Sequence, residues 1–170
     1  LKVRSKGVVM LVDAPEKMFS KAVDTARALQ DRLVPGWTYR GEYLRVPKHN
    51  CLCYDRVPTG HVILFDVLVE EEDYLSYDAK AAEATRLGLE VVPRLGEGTV
   101  TYAQLRQILD TTTSILGGQR IEGVVVKPRN YGLFGPDKKC LMGKFVSEAF
   151  KEVHGCEWKL SNPSNKDIIS

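Results

Sequence analysis

Two carboxylates, one aromatic ring and two ammonium groups stand at intervals along apolar, strand-like runs of this chain. They are Glu42 in Arg40-Gly41-Glu42-Tyr43-Leu44, Phe65 in Leu64-Phe65-Asp66-Val67, Glu122 and Lys127 in Ile121-Glu122-Gly123-Val124-Val125-Val126-Lys127, and Lys144 in Leu141-Met142-Gly143-Lys144-Phe145. A charge in an apolar run costs desolvation energy unless a ligand, an ion or a partner charge offsets it, so these positions are the candidates for chemistry. A carboxylate at Glu42 can accept hydrogen bonds from ribose hydroxyls, and the face of Phe65 can stack on a purine for about 1–3 kcal/mol. Glu122 suits a hard divalent cation, held directly or through water. Lys127 and Lys144 supply positive charge of the kind that steadies a phosphate and a transition state at phosphorus. Singly, each has a plain structural alternative: Glu42 in a surface ion pair, Phe65 in a core, Lys144 snorkelling from a strand edge. Only the ordered set raises the functional reading above those alternatives.

The elements that must position these groups are legible from periodicity and punctuation. Asp13 as a cap, Pro15 in the first turn and Glu16 in a capping box predict a helix whose apolar stripe runs through Met18, Phe19, Ala22, Val23, Ala26, Leu29 and Leu33. Val34-Pro35-Gly36 ends it. Strand runs at about 38–46 and 61–69, with a polar turn around Pro58-Thr59-Gly60, are expected to pair antiparallel. Strict alternation puts Glu42, Leu44 and Val46 on one face, and His61, Ile63, Phe65 and Val67 on one face. Ser76 predicts a second helix, closed by Gly88, a short strand follows at Val91-Val92, and a third helix spans about 101–112. After Gly117-Gly118, a strand at 121–127, read as buried, and one at 140–145 form a hairpin-like pair, and a last helix starts at Ser147 and runs to Val153. Alternation sets Lys127 opposite Glu122 unless a bulge intervenes. This order, without regular β-α-β repetition, predicts an α+β fold with antiparallel β-sheets and flanking helices.

A chain of 170 residues fits one ordinary domain with a real core. No apolar run approaches the roughly 18 residues that a bilayer crossing needs, so no membrane role is expected. A formal charge of +2 excludes a polycation that grips nucleic acid through bulk charge; basic surface must be local, as between Lys127 and Lys144, with an acidic run at Glu70-Glu71-Glu72-Asp73. Cys51, Cys53, Cys140 and Cys156 are too few and too irregular for a disulfide framework, which suits a reducing, cytoplasmic setting. His49-x-Cys51-x-Cys53 lacks the spacing of a common zinc finger and reads as small residues in a strand or turn. The stretch Leu160–Asp167 is polar and turn-rich, as in a linker.

The ordered set resembles the nucleotidyltransferase superfamily of covalent polynucleotide ligases and messenger-RNA capping enzymes, and within it the RNA ligases of the phage RNA ligase 2 type and their archaeal, bacterial and viral relatives. Arg40–Leu44 resembles motif III, Leu64–Val67 motif IIIa, Ile121–Lys127 motif IV, Lys144 with its apolar neighbours motif V, and Arg4-Ser5-Lys6-Gly7 motif Ia. Ser114–Gly118 and Phe145–Glu152 strengthen the likeness to RNA over DNA ligases. The resemblance implies a nucleotidyltransferase domain of the ATP-grasp-like ligase kind. It implies three steps: a lysine takes AMP from ATP, AMP passes to an RNA 5′-phosphate, and a 3′-hydroxyl displaces it. It assigns the AMP ribose to Glu42, adenine to Phe65, a Mg2+ or Mn2+ ion to Glu122, the α-phosphate to Lys144, nucleotide contact to Lys127, and phosphate or the RNA end to Arg4. The pattern departs at two points. The motif I lysine, in a Lys-x-x-Gly setting, belongs upstream of Arg4, and Met142 stands where motif V commonly has its first lysine. Residues 1–158 are therefore expected to be a partial adenylyltransferase domain lacking its first strands, and 159–170 a linker toward an absent C-terminal domain. Such a piece is expected to be inactive alone, to expose sheet edges, and to need the missing segments as partners. A capping guanylyltransferase and a noncatalytic RNA- or nucleotide-binding module are the alternatives.

Overall fold

The structure, a computed structural model, describes residues 1–151 apart from Asn50, Asn130 and Ala149. The end of the last helix, Cys156 and the linker at 159–170 lie outside the described residues. A short hairpin pairs β1 (Val3–Ser5) with β2 (Val8–Met10). A single turn of 3-10 helix at Lys17–Phe19 then leads into α1 (Ser20–Leu29). The helix therefore starts later than its sequence signals suggest. Asp13 caps nothing; its carboxylate pairs with Arg27 at 3.3 Å, and Met18 stays half exposed while Val23 and Leu29 are buried.

The central sheet is built on β6 (Val62–Glu70), the longest strand. β3 (Thr38–Tyr43) pairs antiparallel along one edge. The other edge is shared: β8 (Glu90–Val91) pairs parallel at Ile63 and Leu64, and β7 (Asp73–Tyr74) pairs antiparallel at Leu68 and Glu70. Among the described residues no strand pairs with β6 between those two partners. α2 (Tyr77–Leu87) covers the sheet, with the Ser76 hydroxyl accepting from the Ala79 amide at 3.2 Å and Gly88 closing it at φ +71°. Leu64, Val67 and Ala84 form the core, with Trp37, Tyr39, Leu75, Leu89 and Val91 packed around them.

Strict alternation fails along β6. The register slips between Arg40, opposite Asp66, and Gly41, opposite Leu64, which leaves Phe65 as an extra residue in a bulge. Leu64 and Val67, three apart, consequently share the α2 side, so Val67 does not join Ile63 and Phe65 in one row. α3 (Tyr102–Thr111) begins with a full capping box between Thr101 and Gln104. β9 (Gly123–Val126) and β10 (Gly143–Val146) form an antiparallel pair, and β4 (Lys48–His49) with β5 (Leu52–Cys53) a small hairpin. β9 is not buried as its apolar run suggests: Val125 is half exposed. The result is the expected mixture of antiparallel sheets and helices. Among the described residues no helix is long and apolar enough to cross a membrane.

Candidate functional site

The bulge at Phe65 does more than shift the register. At the bulge the Phe65 main-chain carbonyl accepts from side chains, as a buried carbonyl must find donors. Two ammonium groups donate to it: Lys80 from α2 at 2.8 Å and Lys127, just past the end of β9, at 3.4 Å. Lys127 also pairs with the buried Asp66 carboxylate at 2.5 Å and lies 5.5 Å from the centre of the Tyr131 ring. Tyr131 stacks on Tyr74 at 5.2 Å between centroids, and the Arg40 guanidinium lies over Tyr74. Burial, followed by the Asp66 charge, pushes the Tyr131 hydroxyl up to about 12, so it stays a neutral donor. The chain thus gathers Phe65 and Asp66 from β6, Lys80 from α2 and Lys127 from the segment after β9 into one charged, partly buried cluster.

Tyr54 organises a second group of side chains. Its hydroxyl donates to the Glu122 carboxylate. Burial first, then that hydrogen bond and the charges of Glu122 and Glu42, raise the Tyr54 hydroxyl far above the ordinary tyrosine range. One phenol therefore feels both carboxylates. The segment that carries it is strapped down: the Asp55 amide donates to the Leu116 carbonyl at 3.1 Å, and the Cys53 amide to the Gln119 side chain at 3.1 Å. The Gly117-Gly118 turn makes that approach possible. Gly118 has φ +83°, and a Cβ there would sit 2.6 Å from the Cys53 carbonyl oxygen, a clash no side chain avoids. The turn then delivers the chain to Glu122, whose own carbonyl accepts from the Ser147 amide at 3.0 Å and extends the β9–β10 pairing by one step.

Glu42 lies on β3 opposite Ile63, two residues from Phe65, and is exposed. Glu42, Phe65, Glu122 and Lys127 are thus linked through β6 and Tyr54. Lys144 is not among them. It pairs with Val125, whereas Glu122 continues the Val124 and Val126 side of the hairpin, where Phe145 faces Val124. Lys144 instead lines a groove of about 260 Å³ beside α3 with Tyr102, Arg106, Asp110, Glu148 and Lys151. Arg4 is exposed on β1 opposite Val9 and makes no ion pair among the described residues. Lys127 needs no bulge to escape alternation, because β9 ends at Val126 before reaching it.

Sequence reasoning missed Tyr54, Asp66 and Lys80. Asp66 stood inside the Leu64–Val67 run and could have been flagged as a charge among apolar residues; Lys80, on a helix of mixed composition, and Tyr54, in a loop, gave no such signal. Glu122 is the carboxylate available to a magnesium-like ion, which uses one or two carboxylates and completes its shell with water and substrate phosphates. Among the described residues no group of three or more His, Cys, Asp or Glu side chains could hold a metal by itself.

Among known proteins, a family model described as RNA ligase matches residues 4–141, a span that contains Arg4, Glu42, Phe65, Glu122 and Lys127. No curated protein and no solved structure matches.

Proposed function

The chain belongs to the RNA ligase family, and from that premise we propose that it serves ATP-dependent joining of RNA ends, in the manner of the phage RNA ligase 2 type. In this reading Phe65 carries the adenine, Glu42 receives the ribose hydroxyls, and Glu122 holds a Mg2+ or Mn2+ ion. The metal, when bound, would neutralise charge developing on the phosphates. The chain's own groups do the rest. Tyr54 fixes one carboxylate oxygen of Glu122, which leaves the other for the metal. Asp66 and the bulge carbonyl hold the Lys127 ammonium beside Phe65. The α-phosphate contact expected of Lys144 has no support from its position beside α3. Lys127 is the lysine that this arrangement offers to the nucleotide, and Arg4 is left for the RNA end.

The observation that carries the reading is the pairing that sets Glu42 on β3 against β6, whose bulge presents Phe65 and Asp66 to Lys127, together with the Tyr54 hydrogen bond that holds Glu122. The test is to supply the protein, joined to the upstream segment that carries a motif I lysine, with ATP, Mg2+ and a labelled RNA carrying a 5′-phosphate and a 3′-hydroxyl. ATP-dependent joining that is lost in E122Q and F65A supports the reading. ATP binding without joining moves the protein to a nucleotide-binding module, and nucleotide transfer from GTP alone moves it to the capping chemistry. Failure to bind either nucleotide overturns it.

A further inference from the structure

Burying a lysine ammonium is expensive, and a helix that only covered a sheet would place an apolar side chain at that position. Lys80 is nevertheless 3% exposed, on the face of α2 that packs against β6. Its ammonium donates to the Phe65 carbonyl at 2.8 Å and lies 5.1 Å from the centre of the Tyr77 ring. The charged groups around it are Asp66 on β6 and Lys127 after β9, with the Arg94 guanidinium on Tyr77 beyond. Two ammoniums and one carboxylate thus meet at the carbonyl of the bulged residue.

The geometry points to Lys80 as a positioning residue for the nucleotide site: from inside the protein it holds the Phe65 backbone in its bulged conformation and fixes Lys127 against Asp66. This rests on the reading that Phe65 carries the base. Phe65 is the extra residue of its strand, with no residue directly opposite, and its carbonyl is held by the two ammonium groups. A charge-assisted hydrogen bond is roughly twice as strong as a neutral one, so the hold weakens when Lys80 loses its proton. Burial first, and then the Lys127 charge, lower the Lys80 ammonium to about 8, within reach of an ordinary buffer series.

Equilibrium binding of ATP to the protein, measured calorimetrically from pH 6.5 to 9.5, tests this. The wild-type protein should lose affinity about tenfold as pH rises through about 8. K80M should bind about tenfold more weakly than wild type at pH 7 while keeping its circular dichroism spectrum, and its affinity should no longer change across that interval. A lysine that only filled space would leave the pH profile of the variant unchanged. A wild-type profile flat through pH 8 overturns the proposal without any variant, as does a K80M protein that binds with wild-type affinity. F65A separates the two readings: if it binds ATP as wild type does, the nucleotide assignment of Phe65 falls, and the Lys80 proposal falls with it. If F65A loses binding while K80M keeps wild-type affinity and profile, only the Lys80 proposal falls.

Discussion

Removing either partner of the Asp66–Lys127 pair should have unequal consequences. Asp66 is 5% exposed and is the one carboxylate among two ammoniums, Lys127 at 2.5 Å and Lys80 on the neighbouring helix. D66N leaves Lys80 buried and Lys127 half-buried with no counter-charge. Breaking a buried pair this way costs about 3–5 kcal/mol, because the surviving charge keeps its desolvation penalty without its attraction. K127M leaves Asp66 with Lys80 still at hand and removes the repulsion between the lysines. Its loss should be nearer to one charge-assisted hydrogen bond, about 2 kcal/mol. The difference of at least about 1–2 kcal/mol is a five- to thirty-fold difference in the unfolding equilibrium. Urea unfolding of wild type, D66N, K127M and the double variant at pH 7 reads it directly, and the double variant should be less destabilised than the sum of the singles. Equal losses for the two single variants, or a larger loss for K127M, would show that Lys80 gives Asp66 no support and would refute the account of the cluster.

Three further outcomes follow from the same contacts. Stability should rise between about pH 8 and 10.5, because in that window the unfolded chain holds a proton that folded Lys80 has released; the gain approaches about 3 kcal/mol and disappears from the difference between wild type and K80M. Y54F removes the donor to Glu122 and should cost about 1–3 kcal/mol in urea unfolding, with weaker Mn2+ binding by electron paramagnetic resonance, whereas a substitution at exposed Tyr102 should do neither. G118A meets both a left-handed backbone and the Cys53 carbonyl, so its melting temperature should fall by several degrees, about 1–3 kcal/mol in stability.

How much of this was legible in the sequence depended on whether the signal was local. The Ser76 cap, the Gly88 terminus and the Thr101 helix start stand as their residues predict, because capping is settled within one turn. The pairing of β3 with β6 was readable from two apolar runs. The bulge was not: alternation carries no mark of an extra residue, and Phe65 is identified as one only by what lies across the strand. Asp13 shows the converse failure, a competent cap whose carboxylate pairs with Arg27 on the helix instead. The placement of Lys144 beside α3 follows from which residue of β9 it faces, and that register is set by backbone pairing across a long loop. Tyr54 meets Glu122 across 68 positions of chain, a distance at which spacing says nothing.

That long reach has a consequence for how the molecule is assembled. The scaffold of β3, β6 and α2 is complete once the chain has been synthesised through Gly88, whereas the Tyr54 strap finds its turn only after Gln119 has emerged from the ribosome. Closing so large a loop is slow relative to forming the scaffold, so the acidic half of the site is fitted last. By the same reasoning it is the first part to come away. Hydrogen exchange at the Asp55 and Cys53 amides should proceed through openings of lower free energy than exchange at Val67 in the core, so that the site is lost and regained while the sheet beneath it stays folded.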